Sequence, residues 1–465
     1  MKPGWIRLLL AVLFWLPTWT VSAQDTPPSG PIYIVQSGDN LWDIAARFGV
    51  SIDELLSANN LTLDSIIYEG AQLVIPGLEG VSGILTTVEV PYGETLPSLS
   101  LRYQTPVDVL ARLNHLTSPS EVYAGMSLVT PLSEETPEPG LRLSLAAGQS
   151  LLELAILNNT NPYTLALSNG VSTPAALPAG QVLRLRYNDG ISDPGPGGLP
   201  PAIAAVGFSN FIQGQTGVIR VEGAAGASLS GSLMGHPLNF FPLPEGGYSA
   251  LQGVHAMVEP GTYPLTLQGS LADGSSFSFT QSVRVYAGEF LYDVPLYVPA
   301  ETLDPAITGP ENELWESQVL AATPEKLWEG AFAAPVDAAY ADCWPSIFGS
   351  RRSYNDSEYI YFHTGLDFCG QVGFSIYAPA DGIVVYTGEL VVRGNATVID
   401  HGWGIYSAYM HQSEILVNVG DRVETGQLIG LVGNTGRVIG PHLHIEVWAG
   451  GVQVDPLDWM AQAYP

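Results

Sequence analysis

The spacing of apolar residues changes character along the chain. Between 32 and 187 short apolar runs alternate with short amphipathic stretches. In the first such unit Tyr33 to Gln36 predicts a strand, Leu41 to Phe48 a helix, Ile52 to Ala58 a second helix, and Gln72 to Ile75 a closing strand. Ser51 with Glu54 forms a capping box that starts the second helix, and Ile52, Leu55 and Leu56 supply its apolar face. The pattern then recurs. Gly38-Asp39-Asn40-Leu41 returns as Gly93-Glu94-Thr95-Leu96 and again as Gly148-Gln149-Ser150-Leu151, with a step of 55 residues. Asn59, Asn114 and Asn169 keep that step, as do Gly70, Gly125 and Gly180. The chain therefore carries three copies of one β-α-α-β unit, at 32–77, 87–132 and 140–187. The second keeps Tyr123-Ala124-Gly125. The third is degenerate, with Ala176 to Pro178 where the first has Ile66 to Tyr68, although Asn161-Pro162 still supplies a cap and an N1 proline.

Residues 188–201 are rich in Gly and Pro and read as a linker. From 202 to 287 the period shortens to that of strands, at Gly217 to Val221, Ser228 to Leu233, Tyr263 to Leu267, Phe277 to Phe279 and Val283 to Tyr286. With Asp273-Gly274 as a hairpin turn, this predicts an all-β, immunoglobulin-like sandwich. It carries His236 and His255 but no constellation, and reads as a spacer or docking module. A connector follows at 288–330, with a helix expected from Glu311 to Ala321, and residues 331–465 return to strands. At the other end, Lys2 and Arg7, the apolar run Leu8 to Leu16 and the small residues Val21-Ser22-Ala23 read as a signal peptide over 1–23. A secreted, extracytoplasmic protein is expected, touching the membrane only through that segment before cleavage.

Composition narrows the partners. There are 16 basic and 45 acidic residues, for a net charge of −29. Such a surface repels nucleic acid and anionic membranes, and because the acids are scattered they suit solubility better than a binding tail. The two cysteines, Cys343 and Cys369, lie close together near the C-terminus, and in a secreted chain they suggest a disulfide.

The chemistry gathers in the last hundred residues. Gly440-Pro441-His442-Leu443-His444-Ile445-Glu446-Val447 reads as a strand entered from a turn, which puts His442 and His444 on one face. Upstream stands His363-Thr364-Gly365-Leu366-Asp367, whose ends also share a face. Two imidazoles and a carboxylate with a fourth position open make a catalytic rather than a structural zinc site. Glu446 lies on the strand beyond His444, where packing or a supporting hydrogen bond suits it better than the role of base. His401, in Asp400-His401-Gly402, reads as a turn contact. Val419-Gly420-Asp421-Arg422-Val423 with Gly426-Gln427 has the look of a barrel-sandwich hairpin. A biotinyl or lipoyl carrier would need a lysine there, and beyond the leader the chain has only Lys326.

His363-x-x-x-Asp367, then Tyr409-Met410-His411, then His442-x-His444 resemble the ordered motifs of the lysostaphin/LytM-type zinc endopeptidases, which cut peptidoglycan peptides. Asn434-Thr435-Gly436 and Gly440-Pro441 fit the same pattern, and the likeness covers roughly 331–465. It implies a mainly antiparallel, barrel-sandwich-hybrid-like peptidase domain holding one zinc ion through His363, Asp367 and His444, with His411 and His442 for proton and charge work. The three repeats resemble LysM modules, which implies binding to the glycan of peptidoglycan. The expected function is a zinc endopeptidase targeted to the cell wall. The alternative is a non-catalytic, glycan-binding envelope protein that regulates other wall hydrolases.

Overall fold

The computed structural model describes residues 30–78, 81–132, 140–172, 177–185, 193 and 195–465. The leader expected at 1–23, Ala176, and residues 188–192 and 194 of the Gly/Pro stretch lie outside the described residues. The chain divides into two compact units, Met1–Leu85 and Thr86–Pro465.

In the first unit the strands Ile32–Ile34 and Gln72–Val74 pair antiparallel, with the helices Leu41–Phe48 and Ile52–Asn59 between them in sequence. Asn40 caps the first helix through the Asp43 N–H, and Ser51 and Glu54 cap the second reciprocally. Tyr33, Ile44, Phe48 and Leu55 fill the small core.

The landmarks of the repeat have a local physical cause. Asn59 Nδ2 donates to the Val74 carbonyl at 2.8 Å while its Oδ1 accepts the Val74 N–H at 2.7 Å. Asn114 makes the same two bonds to Val129, and Asn169 to Arg184. One amide thus ties the second helix to the closing strand in every copy. Gly70, Gly125 and Gly180 precede that strand with φ of +84°, +83° and +82°, which only glycine adopts without strain.

Within the second unit the second repeat is built into its neighbour. The Tyr92 hydroxyl donates to the carbonyls of Leu265 (2.9 Å) and Phe279 (3.0 Å), and the Gly93 N–H donates to Gln281 Oε1 at 2.8 Å. The Ala124 N–H donates to the Ser282 carbonyl at 2.8 Å. A Cβ on Gly93 would strike Leu199 and Pro196. In the first repeat the matching glycines, Gly38 and Gly70, face open space, and Ile66 and Tyr68 stand 87% and 73% exposed. Gly195–Pro201, read from composition as a linker, is gathered in as well. Arg142 donates to the carbonyls of Pro196, Leu199, Pro200 and Ile203 and pairs with Asp193 at 2.7 Å.

Residues 203–286 form a five-stranded and a four-stranded sheet around one core. Ile219 and Val221 from one sheet meet Leu265, Leu267 and Val283 from the other, together with Tyr92 of the second repeat. Phe277–Phe279 and Val283–Tyr286, expected as two strands, belong to one strand, Ser276–Tyr286. It pairs along its length with Gly261–Ser270, and that continuous ladder carries it through the polar Thr280-Gln281-Ser282.

The C-terminal sheet runs in the order Leu366–Cys369, His442–Ala449, Ile405–Ile415, Gly394–Gly402, Gly382–Leu390, Arg422–Val423, all antiparallel. Leu366, Phe368, Tyr409, Leu443 and Ile445 pack its core. A second core joins it to the 203–286 sheets, where Phe241 stacks on Trp403 and Trp459 Nε1 donates to Thr216 Oγ1 at 2.9 Å. The connector helix spans Pro305–Ser317 rather than Glu311–Ala321. Asp304 caps it through the Ala306 N–H and Pro305 takes N1, so it starts earlier and runs through Pro310. It ends at Ser317, and Val319 beyond it is buried with Trp315 against the sheet.

Candidate metal centre

Strand register brings the central residues together. Asp367 lies directly opposite His444 in the antiparallel pair, and Cys369 opposite His442. Facing residues on adjacent strands are close enough for their side chains to touch. His363 comes from the short link between Tyr361–Phe362 and Leu366–Cys369, not from the strand of Asp367. Gly365 permits that link, since a Cβ there would lie 2.1 Å from the Ile445 carbonyl oxygen.

Three donor atoms converge. His363 Nε2 lies 3.1 Å from Asp367 Oδ1 and 3.0 Å from His444 Nδ1, and His444 Nδ1 lies 2.8 Å from Asp367 Oδ1. A metal bonded to such atoms at about 2.0–2.2 Å would hold them roughly 3.3 Å apart, close to what is seen. The opposite ring atoms fix which nitrogens are free. His363 Nδ1 donates to the Ile347 carbonyl at 2.9 Å, so its Nε2 presents a lone pair. His444 Nε2 faces Glu446 Oε1 at 3.6 Å, leaving Nδ1 for the cluster. Burial lowers the His363 pKa to about 4, keeping that imidazole neutral. Burial would raise the Asp367 carboxyl, but the two histidines hold it well below its ordinary range. Burial would lower the His444 pKa as well, but Asp367 and Glu446 raise it above its ordinary value, so a metal at Nδ1 would displace a proton. Two imidazole nitrogens and one carboxylate oxygen suit zinc.

The supporting contacts come from distant segments. Glu446 receives Trp315 Nε1 at 3.0 Å, Trp448 Nε1 at 2.9 Å and Gln453 Nε2 at 3.0 Å. These three donors fix the carboxylate, whose Oε1 lies beside His444 Nε2. Arg352 reaches Asp367 Oδ2 at 3.5 Å, and its Nε donates to Asp293 at 3.1 Å. Arg352 also donates to Ser346 Oγ, which lies 3.1 Å from His363 Nδ1. Sequence reasoning named none of Asp293, Trp315, Ser346 or Arg352. The adjacent pair Arg351-Arg352, in a chain so poor in cations, was the available signal.

His442 and His411 flank the cluster. His442 Nε2 is 3.5 Å from Asp367 Oδ1 and its Nδ1 donates to the Gly440 carbonyl at 2.8 Å. His411 Nδ1 donates to the Thr435 carbonyl at 2.8 Å, and the two rings stand 5.1 Å apart. In both, Nε2 is the basic atom. Burial, reinforced by His444 and His442, lowers the His411 pKa to about 3. His411 lies inside the strand Ile405–Ile415, with φ +63° beside a register shift. A positive φ in a non-glycine residue is strained and here sits next to the cluster. His401 belongs to a strand rather than a turn, and its ring nitrogens are taken by the Asp381 carbonyl (2.7 Å) and Ser407 Oγ (2.8 Å).

A cleft of about 830 Å³ opens over these residues. Val294, Leu296 and Val298 of the connector line it together with Ile360, Tyr361 and Ile439.

A buried His-Asp-His donor set, open to a cleft and flanked by further imidazoles, defines a metallopeptidase domain. Residues 361–456 match peptidase family M23, and 33–76, 88–131 and 146–186 each match the LysM domain, so the chain carries an M23 metallopeptidase domain with three LysM domains. Among curated proteins it is 42% identical over 123 residues to the peptidoglycan DD-endopeptidase ShyA of Vibrio cholerae, covering 26% of this chain and 28% of that one. Among solved structures it is similar to the catalytic domain of the M23 protein EnpA of Enterococcus faecalis (30% identity, 27% of this chain and 95% of that one, TM-score 0.24). It is also similar to lysostaphin of Staphylococcus simulans (32% identity, 21% and 44%, TM-score 0.21).

Proposed function

We propose that this chain is a secreted, zinc-dependent endopeptidase of peptidoglycan peptides, carried to the wall by its LysM domains. The observation that carries the reading is the meeting of His363 Nε2, Asp367 Oδ1 and His444 Nδ1 at the floor of an open cleft. In this reading those three residues hold one zinc ion. When bound, zinc supplies Lewis-acid polarisation of the scissile carbonyl and an acidified water. His442 and His411, each with Nδ1–H fixed on a backbone carbonyl, present Nε2 to take the water proton, steady the developing oxyanion and return a proton to the leaving amine. Arg352 and Glu446 orient Asp367 and His444. The 203–286 sheets are read as an immunoglobulin-like support. The matched relative's endopeptidase activity on peptidoglycan favours wall peptide as substrate.

The full-length protein, loaded with zinc, should release peptides from purified peptidoglycan, and mass spectrometry of the fragments would identify the bond. Chelator should stop release and added zinc restore it. No release by zinc-loaded protein would overturn the reading in favour of a binding or regulatory protein.

A further inference from the structure

Three arginines line the cleft over the candidate metal centre: Arg352, Arg393 and Arg437. Two are neutralised by carboxylates. Arg352 pairs with Asp293 at 3.1 Å and Asp367 at 3.5 Å, and Arg393 with Glu311 at 3.0 Å. Arg437 is different. Its Nη1 donates to the Thr302 carbonyl at 3.0 Å and its guanidinium lies over the Tyr354 ring at 4.7 Å, but among the described residues it pairs with no carboxylate. The remaining N–H donors of its planar fork are free for a ligand.

The position is fixed. The Arg437 N–H donates to the Val392 carbonyl at 2.8 Å, and a Cβ on the preceding Gly436 would fall 2.4 Å from the Gly394 nitrogen, so the loop is locked against its neighbour. Tyr354 and Thr302 then hold the guanidinium, so little side-chain freedom remains to be lost on binding. Five residues on lies His442, at the edge of the donor cluster. The cleft carboxylates, by contrast, are engaged: Asp293 and Asp367 by Arg352, and Glu446 by two tryptophans and Gln453. In a chain of net charge −29, a preorganised cation without a counter-charge beside the candidate centre is a receptor for an anion.

We propose that Arg437 is a specificity-determining residue that binds a carboxylate of the peptide substrate next to the bond to be cut. This rests on the peptidase reading above and narrows its substrate class to peptides bearing a free carboxylate. That group is either the terminal α-carboxylate or a side-chain carboxylate, and the two are separable.

The test uses full-length zinc-loaded protein and three soluble wall-type peptides: the parent, its C-terminal amide, and its side-chain amide. Binding is measured by calorimetry and turnover by chromatography. One of the two amidations should weaken binding and kcat/KM by roughly tenfold to a hundredfold, the range of a charge-assisted hydrogen-bond pair. Which one does so identifies the carboxylate. In Arg437→Gln the acid-to-amide ratio should fall to about one, whereas Arg437→Lys, which keeps the charge but loses the fork, should retain part of it. Zinc content and thermal midpoint of both variants report whether they fold as the parent does. Equal handling of acid and amide peptides by the wild type, or an unchanged ratio in folded Arg437→Gln, overturns the proposal. Discrimination in binding without any cleavage would instead count against the peptidase reading and leave the carboxylate receptor standing.

Discussion

Glu446 Oε2 accepts the indole N–H of Trp315 at 3.0 Å, although the two residues are 131 positions apart. The glutamate stands two residues after His444 and the tryptophan on the connector helix, outside the stretch that matches the peptidase family. Replacing Trp315 with Phe keeps most of the apolar bulk and removes the donor. It should cost about 1–3 kcal/mol of stability and weaken zinc affinity by roughly tenfold or more. Competition against a chromophoric chelator, with thermal melting, checks both.

Substitution of the donors separates the roles. His363→Ala, Asp367→Ala and His444→Ala should each lose zinc together with activity. His411→Ala and His442→Ala should keep near-stoichiometric zinc and lose turnover by roughly 10²–10⁴-fold. Metal analysis of the five purified variants decides. Zinc loss in both His411→Ala and His442→Ala would reassign those rings to metal binding.

Cys343 and Cys369 form a disulfide, with 5.4 Å between their Cα atoms and a sequence separation of 26. The loop it closes contains Ser346, His363 and Asp367. Reduction should destabilise the C-terminal domain by roughly 3–4 kcal/mol through the greater freedom of the unfolded chain. Melting with and without reductant, alongside Cys343→Ser/Cys369→Ser, measures the effect.

Asp455 offers a pH-dependent test away from the metal centre. Burial raises its carboxyl to about 6 from an ordinary 3.8, with Asp458 adding to the shift. The folded state therefore holds the proton more tightly than the unfolded chain does. The stabilisation is complete below about 3.8 and is lost as pH rises through about 6. Asp455→Asn keeps an acceptor for the Leu457 N–H and removes the titration. From pH 4 to pH 7.5 the variant should gain about 2–3 kcal/mol relative to the wild type, seen as a few degrees in thermal midpoint. Parallel curves across that range would show that the carboxyl does not titrate there.

The repeats need dissecting at a particular boundary. Removing 32–187 would strip Tyr92 from the core between the two sheets and expose Leu265 and Val283. Starting the chain at residue 86 removes the first compact unit alone. That truncation should cleave small soluble peptides at nearly the full-length rate while binding insoluble wall more weakly. Pull-down on purified wall and turnover on both substrates test it. Tyr92→Ala, in contrast, should lower stability by about 3–5 kcal/mol, as buried aromatic truncations do.

What was legible in the sequence follows the range of the interaction. The 55-residue step could be read because each landmark is local: an amide such as Asn59 clamps a strand 15 residues away, and a glycine such as Gly70 makes the turn before it. The His442–His444 alternation and the turn before it could be read for the same reason. Asp293, Arg352 and Trp315 could not, because their partners are fixed only when separate segments fold together. Nor could the φ of His411, which depends on the register of the neighbouring strands. The third class of miss is subtler. Gly93 and Gly38 occupy the same place in the repeat, and only the packed fold distinguishes the one that meets Leu199 from the one that meets nothing.

Because the second and third repeats, the two-sheet layer and the metallopeptidase domain belong to one compact unit, their spacing is set by packing rather than by a tether. The third repeat still offers an open edge at Gly148. A polymer gripped there would meet the cleft at a constant offset, like work held in a jig. On the peptidase reading proposed above, the distance from grip to cut would then be a dimension of the protein itself.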